Sequence, residues 1–314
     1  MSVNVALVGY GYAGRIIHAP LIRAAEGLQL SAIVSGRPAD VHADIPTQRV
    51  LPFDEVLDNP GIDVVVIATP NDLHAPQAHA ALEAGKHVVI DKPFALNVPE
   101  AEELIRHAKR ADRLLSVFHS RRWDSNNLTL SALKPRLGTL SQVILRYDRW
   151  RPVVQDRWRE RKGPGSGIWF DLGSHLVDQS LSQFGWPDWI SADIAGQREG
   201  AKTDDYFHVV LGYGPLRVIL HSSMLTSQPG ACIEVQGHTG SFVKYGMDTQ
   251  EEQLKAHITP GSPGWGADPV AATLTVTDGE NVGQPAAVTA TPGNYLGYYE
   301  QLARAIAQGA DNPV

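Results

Sequence analysis

The chain has 314 residues, and at roughly 100–200 residues per domain this length predicts two domains. Hydrophobic residues make up 43% and charged residues 19%, which excludes disordered, coiled-coil and collagen-like chains. The net charge of −7 lacks the positive field that duplex nucleic acid requires, and we expect no nucleic-acid partner.

Cysteine content and apolar runs bear on the compartment. Cys232 is the single cysteine, which excludes an intramolecular disulfide and a cysteine-based zinc site and is typical of a reducing compartment. The first residues lack a signal-peptide pattern, and runs such as Val64–Ala68 are far shorter than the roughly 18 residues of a membrane span. We therefore expect a soluble, cytoplasmic protein without membrane contact.

The segment up to Phe118 alternates short apolar runs with helix-like stretches. The runs are continuous rather than alternating, which predicts parallel strands covered on both faces, as in a doubly wound α/β sheet. The expected strands are Val3–Val8, Leu28–Val34, Val64–Thr69, Val88–Ile90 and Leu114–Phe118, and the expected helices are Gly14–Glu26, His74–Ala84 and Val98–Ala111.

From about Gly138 the runs lengthen and partly alternate, which predicts an open sheet with one face on a core. The expected strands are Leu140–Tyr147, His208–Tyr213, Leu216–Ser222, Ala231–Gln236 and Ala272–Val276, with helices at Asp171–Phe184 and Tyr295–Ala307. Thr259–Pro269 and Thr277–Pro285 are expected to be irregular loops.

A glycine-rich turn lies between the first strand and the first helix. It reads Gly9, Tyr10, Gly11, Tyr12, Ala13 and Gly14. In a dinucleotide-binding turn, the first glycine allows the tight turn, the second lets the backbone approach a pyrophosphate, and the third permits close helix packing. The alternative is a glycine-rich turn that binds nothing.

The residues after the second strand bear on the choice of cofactor. NAD-binding chains usually place a carboxylate there for the ribose 2′-hydroxyl, but this chain has Ser35, Gly36 and Arg37. A hydroxyl and a guanidinium can hold a 2′-phosphate, which favours NADP over NAD. Alternatively, Arg37 is a solvated loop residue.

Two further motifs offer groups for proton and charge chemistry. Lys92, between Asp91 and Pro93, follows the fourth strand at the ligand-binding edge of such a sheet, and the peptide bond before Pro93 is a candidate for the cis form. Asp171 and His175 are four apart on one expected helix, where a carboxylate can orient an imidazole base. An ordinary turn, a helix cap and a buried histidine are the structural alternatives.

The remaining polar clusters suggest neither a metal nor single-stranded nucleic acid. No His-Glu-x-x-His pattern occurs, so we expect chemistry without a metal. A basic stretch from Arg146 to Lys162 includes Trp150 and Trp158, but interspersed acids dilute its charge.

These motifs together resemble the glucose–fructose oxidoreductase, inositol dehydrogenase and MocA (Gfo/Idh/MocA) family over nearly the whole chain. The motifs that carry the resemblance are Gly9–Gly14, Thr69-Pro70-Asn71 with His74, Asp91-Lys92-Pro93 and Asp171 to His175. Segments 119–124, 157–160 and 171–175 are most similar to those of NADP-dependent scyllo-inositol dehydrogenases.

The resemblance implies a Rossmann domain at 1–121 and an α/β domain at 122–314 that binds substrate and forms a homo-oligomer, a dimer or tetramer. It implies cofactor contacts from the glycine-rich turn, Ser35, Arg37, Thr69, Pro70, Asn71, His74, Asp91 and Lys92. It also implies that Lys92, Asp171 and His175 are catalytic and that Arg122, Trp158 and Arg159 bind a polyol or sugar. Asp91 stands where the family usually has a glutamate.

We therefore expect an NADP-dependent dehydrogenase of a cyclic polyol or sugar. The alternatives are a nucleotide-binding regulator without turnover and a reductase of aldoses or keto-sugars. Family members usually continue beyond the position of Val314 with another helix, so we expect either a shortened chain or stability that depends on partner subunits.

Overall fold

A computed structural model describes residues 2–314, which form two compact units. The first unit runs through Ser120 and also includes Gln250–Trp265 and Asn294–Val314. The second comprises Arg121–Thr249 and Gly266–Gly293. The compact units are thus not the two continuous ranges expected from the sequence, because later segments return to pack with the first sheet.

The first unit is built on a five-stranded parallel sheet in the order β2-β1-β3-β4-β5. Its strands are β1 (Val3–Val8), β2 (Leu28–Val34), β3 (Val64–Ile67), β4 (His87–Asp91) and β5 (Leu115–Phe118). All four residues of β3 are buried, as expected for a strand covered on both faces. The predicted doubly wound sheet is confirmed.

Helices cover this sheet. A π-helical turn, Ala13–His18, leads into α1 (Ala19–Ala24), followed by α2 (Pro38–Asp44), α3 (Phe53–Asp58), α4 (His74–Glu83) and α5 (Val98–Ala111). At the start of α5 the Asn97 side chain accepts from the Glu100 N–H, while Glu100 accepts from the Leu96 N–H. These contacts satisfy backbone donors that the first helical turn leaves unpaired. Helices α2 and α3 were not predicted because six or seven residues carry too little periodicity.

The second unit contains a nine-stranded, mostly antiparallel sheet in which β6 and β9 pair in parallel. The strands are β6 (Leu140–Arg146), β7 (Trp189–Ala195), β8 (Tyr206–Tyr213), β9 (Leu216–Ser223), β10 (Ile233–Gly237), β11 (Gly240–Lys244), β12 (Ala272–Asp278), β13 (Asn281–Val282) and β14 (Ala286–Val288). Helices α6 (Ser125–Leu133) and α7 (Ser174–Phe184) belong to the same unit. Its core joins sheet residues such as Phe207 and Leu220 to Leu172 and Leu176.

Two helices from the C-terminal part of the chain complete the first unit. They are α8 (Gln250–Lys255) and α9 (Leu296–Gln308). On α9 the Tyr298 hydroxyl lies 2.9 Å from the Ser116 hydroxyl in β5, and both tyrosines at 298 and 299 are fully buried. This packing fixes α9 to the parallel sheet.

Candidate active site

The glycine-rich turn has the geometry of a cofactor cradle. Gly9 directly follows β1 and has φ +99°. A Cβ there would lie 2.6 Å from the carbonyl oxygen of Ala68, the residue just after β3. A Cβ on Gly14 would overlap the carbonyl oxygen of Gly9. A Cβ on Gly11 would meet no atom within 4 Å. Gly9 and Gly14 therefore permit close backbone packing, while Gly11 keeps space open where the motif requires a pyrophosphate.

A cavity of about 330 Å³ lies beside this turn. Its lining includes Gly9, Tyr10 and Gly11 together with Ser35, Arg37 and Thr69. The structure thus brings together six of the residues expected to hold the cofactor, and their arrangement fits a dinucleotide.

Arg37 has an acidic neighbour in the fold, Asp40. Its Nε lies 3.3 Å from Asp40 Oδ2 in α2, and both side chains are exposed. The Ser35 hydroxyl accepts from the Arg37 backbone N–H at 3.0 Å. An exposed ion pair contributes little and exchanges with water readily, so this contact leaves Arg37 able to turn to a phosphate.

The two tyrosines of the turn donate their hydroxyls to carboxylates that do not line the cavity. Tyr10 donates to Asp44 at 3.1 Å, and burial together with that carboxylate raises the pKa of Tyr10 to about 12. Tyr12 donates to Glu251 in α8 at 2.6 Å. The cavity lining includes Tyr10 but not Tyr12, Ala13 or Gly14, so direct cofactor contact by those three remains a prediction.

His74 joins two turns at the edge of the sheet. Its ring is buried, with Nδ1 2.9 Å from the Pro93 carbonyl oxygen and Nε2 3.0 Å from the Thr69 carbonyl oxygen. The Thr69 hydroxyl donates to Gln77 at 2.7 Å, and Asn71 begins a short 3₁₀ turn after Pro70. This geometry gives His74 a role in positioning the backbone at the expected cofactor edge.

Asp91 is held inside the first unit. Its Oδ1 accepts from the Lys92 backbone N–H at 2.7 Å, and its Oδ2 lies 3.5 Å from Nε2 of the fully buried His18. Burial alone would raise the pKa of the Asp91 carboxyl, but His18, Lys92 and His74 together hold it below its usual range. His18 Nδ1 in turn lies 2.5 Å from the Tyr299 hydroxyl.

The turn after β4 is therefore held by His18, which contacts Asp91, and by Tyr299, which contacts His18. Sequence reasoning missed both residues. These two residues are 281 positions apart, and no local pattern signals their contact. The Lys92–Pro93 peptide bond is cis, as the sequence suggested. Lys92 itself is half-buried in this turn.

In the second unit, Asp171 and His175 lie on consecutive helical segments. Asp171 belongs to a π-helical turn, Trp169–Gly173, and His175 to the first turn of α7, where it is 7% exposed. A Cβ on Gly173 would lie 2.9 Å from Cδ2 of the Trp169 indole, so glycine allows that ring to cover the turn. The single α-helix expected over both residues is therefore wrong in its first turn.

Asp171 shares a cluster with two residues that were expected to bind substrate. Arg159 Nε lies 3.4 Å from Asp171 Oδ1, and the Arg159 guanidinium carbon lies 4.6 Å from the centre of the Trp158 ring. Trp158 is 45% exposed. A carboxylate, a guanidinium and an aromatic face thus lie together in this unit, a combination that can bind hydroxyl groups and the apolar face of a sugar ring.

Arg122 lies elsewhere in the same unit. Its Nη2 donates to Asp178 Oδ1 at 2.7 Å and its Nε to Asp178 Oδ2 at 2.9 Å, a fork that ties the segment before α6 to α7. This pairing gives Arg122 a structural role, and its contact with substrate remains a prediction.

Residues 2–314 offer neither a metal cluster nor a membrane-spanning helix. That part of the chain contains no group of three or more side chains placed to hold a metal ion. Nor is any helix within it long and apolar enough to cross a membrane.

Comparisons with known proteins agree with this architecture. Residues 3–119 match the model of an oxidoreductase family's NAD-binding Rossmann fold, and residues 132–314 match that family's C-terminal alpha/beta domain. An uncharacterized oxidoreductase of Escherichia coli, YdgJ, is 47% identical over 100% of this chain and 91% of its own.

A second relative has an assigned activity. The scyllo-inositol 2-dehydrogenase (NADP(+)) IolW of Bacillus subtilis is 38% identical over 100% of this chain and 88% of its own. Among solved structures, the putative oxidoreductase yvaA of Bacillus subtilis superposes with a TM-score of 0.96 at 38% identity, over 100% of this chain and 91% of that one. With both of its domains matched and relatives aligned along its full length, this chain belongs to the Gfo/Idh/MocA oxidoreductase family.

Proposed function

We propose that this protein is an NADP-dependent dehydrogenase that oxidises a CH–OH group of a cyclic polyol or sugar resembling scyllo-inositol. The observation that carries the proposal is the cluster of Asp171, Arg159 and Trp158, which offers polar and aromatic contacts suited to a ring bearing several hydroxyls. The full-length similarity to an NADP-dependent scyllo-inositol dehydrogenase supports the same substrate class.

The choice of NADP rests on the cavity beside the glycine-rich turn. Ser35 and Arg37 line it, and a guanidinium with a neighbouring hydroxyl matches the oxygens of a 2′-phosphate. Gly9, Gly11 and Thr69 would hold the rest of the dinucleotide, which supplies the hydride acceptor when bound.

The chain's own residues would then move the proton. An alcohol carbon does not become a carbonyl until its oxygen sheds a proton, so the reaction needs a base. We assign this role to the His175 imidazole, with Asp171 positioning it, and assign to the Lys92 ammonium the stabilisation of negative charge developing on the substrate oxygen.

The assay follows the near-ultraviolet absorbance of reduced nicotinamide while NADP or NAD is mixed with scyllo-inositol, myo-inositol, glucose or xylose. We expect turnover with an inositol and NADP. Turnover only in the reducing direction, with keto-sugars and NADPH, would identify a reductase. Cofactor binding without turnover in either direction would refute the dehydrogenase and indicate a nucleotide-binding regulator.

The assignment of the base has its own test. Replacing His175 with alanine removes the proton acceptor, and we expect a loss of roughly 10²–10⁴-fold in kcat, the usual contribution of general acid–base catalysis. NADP affinity should not change, and measuring it provides the control for folding. Full turnover by the variant would show that another group is the base.

We also propose that the protein is a cytoplasmic homo-oligomer, a dimer or tetramer. Support comes from β7, an edge strand of the large sheet, where Ile190 is 65% exposed and Ile194, on the same face, is 42% exposed. Exposed apolar side chains in a row are typical of surfaces that associate. Light scattering on the purified protein tests this, and a monomer at micromolar concentration would refute it.

A further inference from the structure

Two adjacent acidic residues, Asp204 and Asp205, precede β8 in the second unit. Neither was singled out by its sequence pattern. Each makes short, directed contacts with a different part of the region that contains Asp171. Together they connect the turn that presents Asp171 with the segment that presents Trp158 and Arg159.

Asp204 organises the turn before α7. Its Oδ2 accepts from the backbone N–H of Trp169 at 2.6 Å, and its carbonyl oxygen accepts from the N–H of Ile168 at 3.2 Å. The carboxylate thereby satisfies a donor in the first turn of the helical segment and places negative charge at its N-terminal end. Asp171 lies only two residues after Trp169, so this contact fixes the position of the backbone that carries the Asp171 side chain.

Gly167 makes that contact possible. Its φ is +90°, and a Cβ there would lie 2.6 Å from Cγ of the Asp204 carboxyl. The Gly167 N–H also donates to the Arg159 carbonyl oxygen at 2.9 Å. One residue without a side chain thus lets Asp204 approach the helical turn and joins that turn to Arg159.

Asp205 acts through Arg198. Its Oδ2 lies 2.8 Å from Arg198 Nε, and its Oδ1 accepts from the Gln197 N–H at 2.7 Å. Arg198 is 3% exposed as a side chain, which is unusual for a guanidinium. Asp205 holds it in a single orientation.

The other N–H donors of Arg198 bind acceptors in the segment 151–160. Nη1 donates to the carbonyl oxygens of Arg151 at 3.1 Å and Val153 at 3.4 Å, and Nη2 lies 3.1 Å from Glu160 Oε2. Glu160 in turn accepts from the Gln155 N–H at 3.0 Å. Both ends of the segment are therefore fastened to the same buried guanidinium.

Glu160 also has a perturbed pKa. Burial alone would raise the pKa of its carboxyl, but the Gln155 N–H and the charges of Arg157 and Arg198 hold it below its usual range. The group thus remains an acceptor for the segment at neutral pH. Trp158 and Arg159 lie inside the segment that these contacts shape.

The free-energy cost of burying Arg198 with Asp205 and Glu160 indicates that these residues serve the geometry of the segment rather than its stability. Removing an arginine and two carboxylates from water carries a penalty, and apolar side chains of similar volume often stabilise such a position as well or better. What a guanidinium fork supplies that apolar side chains cannot is direction, because each N–H fixes one acceptor.

We propose that Asp204 and Asp205 are positioning residues for the substrate site. Asp204 positions the turn that bears Asp171 and leads into α7 with His175, and Asp205, through Arg198, positions the Trp158–Arg159 surface. Because the two aspartates are neighbours on one chain segment, they set the spacing between the catalytic turn and the substrate-binding surface. This inference rests on the proposed dehydrogenase function for its kinetic part only.

The kinetic test compares Asp204→Asn and Asp205→Asn, with Asp278→Asn at the exposed end of strand β12 as the matched control. Small displacements of positioned groups change rates by up to roughly 10²-fold. We expect Asp205→Asn to raise KM for the polyol about tenfold with little change in kcat, and Asp204→Asn to lower kcat about tenfold. Asp278→Asn should match the wild type, and all variants should bind NADP with unchanged Kd.

A second measurement does not need turnover. Amide hydrogen exchange should accelerate in segment 151–160 for Asp205→Asn and for Arg198→Lys, which keeps the charge but loses the fork. In Asp204→Asn it should accelerate in segment 167–173 instead. Equal exchange changes in both segments for every variant would show general loosening and overturn the proposal.

The two measurements separate the proposal from the proposed function. A wild type without polyol turnover refutes the dehydrogenase, while the exchange pattern still decides whether the aspartates position the two segments. The same rise in KM and the same fall in kcat in both aspartate variants would overturn the division of roles. Unchanged exchange in segment 151–160 of Asp205→Asn would refute the link through Arg198.

Discussion

The three glycines of the N-terminal turn should respond to alanine in different ways, because the structure gives each a different neighbourhood. At Gly9 an alanine must adopt φ +99°, which costs about 1–3 kcal/mol for a residue with a side chain. Its Cβ would also lie 2.6 Å from the Ala68 carbonyl oxygen, a backbone atom that cannot rotate away. We expect Gly9→Ala to lower the free energy of unfolding by about 2–4 kcal/mol.

Gly11 is the matched control for stability and the test for binding. A Cβ there meets no atom within 4 Å, so Gly11→Ala should change the free energy of unfolding by less than about 0.5 kcal/mol. The same Cβ would occupy the open space where the motif brings the backbone to a pyrophosphate, so NADP affinity should fall at least about tenfold.

The assays are urea unfolding followed by circular dichroism without cofactor, and calorimetric titration with NADP. Equal loss of stability in Gly9→Ala and Gly11→Ala would refute the steric reasoning. Unchanged NADP affinity in Gly11→Ala would show that the backbone at that position does not approach the cofactor.

Three further predictions concern single side chains. Arg37→Asp should weaken NADP and favour NAD, and an unchanged ratio of the two dissociation constants would show that Arg37 does not contact the 2′-phosphate. Because the pKa of Asp91 is lowered in the fold, its carboxylate stabilises the protein above the unfolded value of about 3.9 and loses that effect as the pH falls through the folded pKa. The difference in urea midpoint between wild type and Asp91→Asn should therefore narrow from pH 7 into the acid range, and a constant difference would contradict the assignment. Burial raises the pKa of the Cys232 thiol to about 12, so it should react with a thiol reagent only after denaturation, and rapid reaction in the native protein would contradict its burial.

Parts of the fold that depend on local chemistry were predictable. The five strands of the parallel sheet appear as short, mostly apolar runs, and the turn from Gly9 to Gly14 has the glycines that its backbone geometry demands. Strand β7 was missed because six of its seven residues are exposed, which removes the alternation that marks a half-buried strand. Strand β11 was missed because only Phe242 and Val243 of its five residues are apolar.

The features of the candidate site also fall into two groups, those predictable from short motifs and those fixed by tertiary contacts. The sequence alone determined the family, the parallel sheet, the glycine-rich cradle and the residue types able to carry proton chemistry, since each is written in short-range spacing. Only the tertiary structure decided that Asp91 contacts His18, which in turn contacts Tyr299, that Arg122 pairs with Asp178, and that Asp205 holds segment 151–160 through Arg198. Apart from Asp205 and Arg198, which are seven positions apart, these partners are separated by tens to hundreds of positions. Which side chains meet depends on the order of strands in a sheet and on the packing of helices against it. Periodicity and turn chemistry act over a few residues and contain no information about that order.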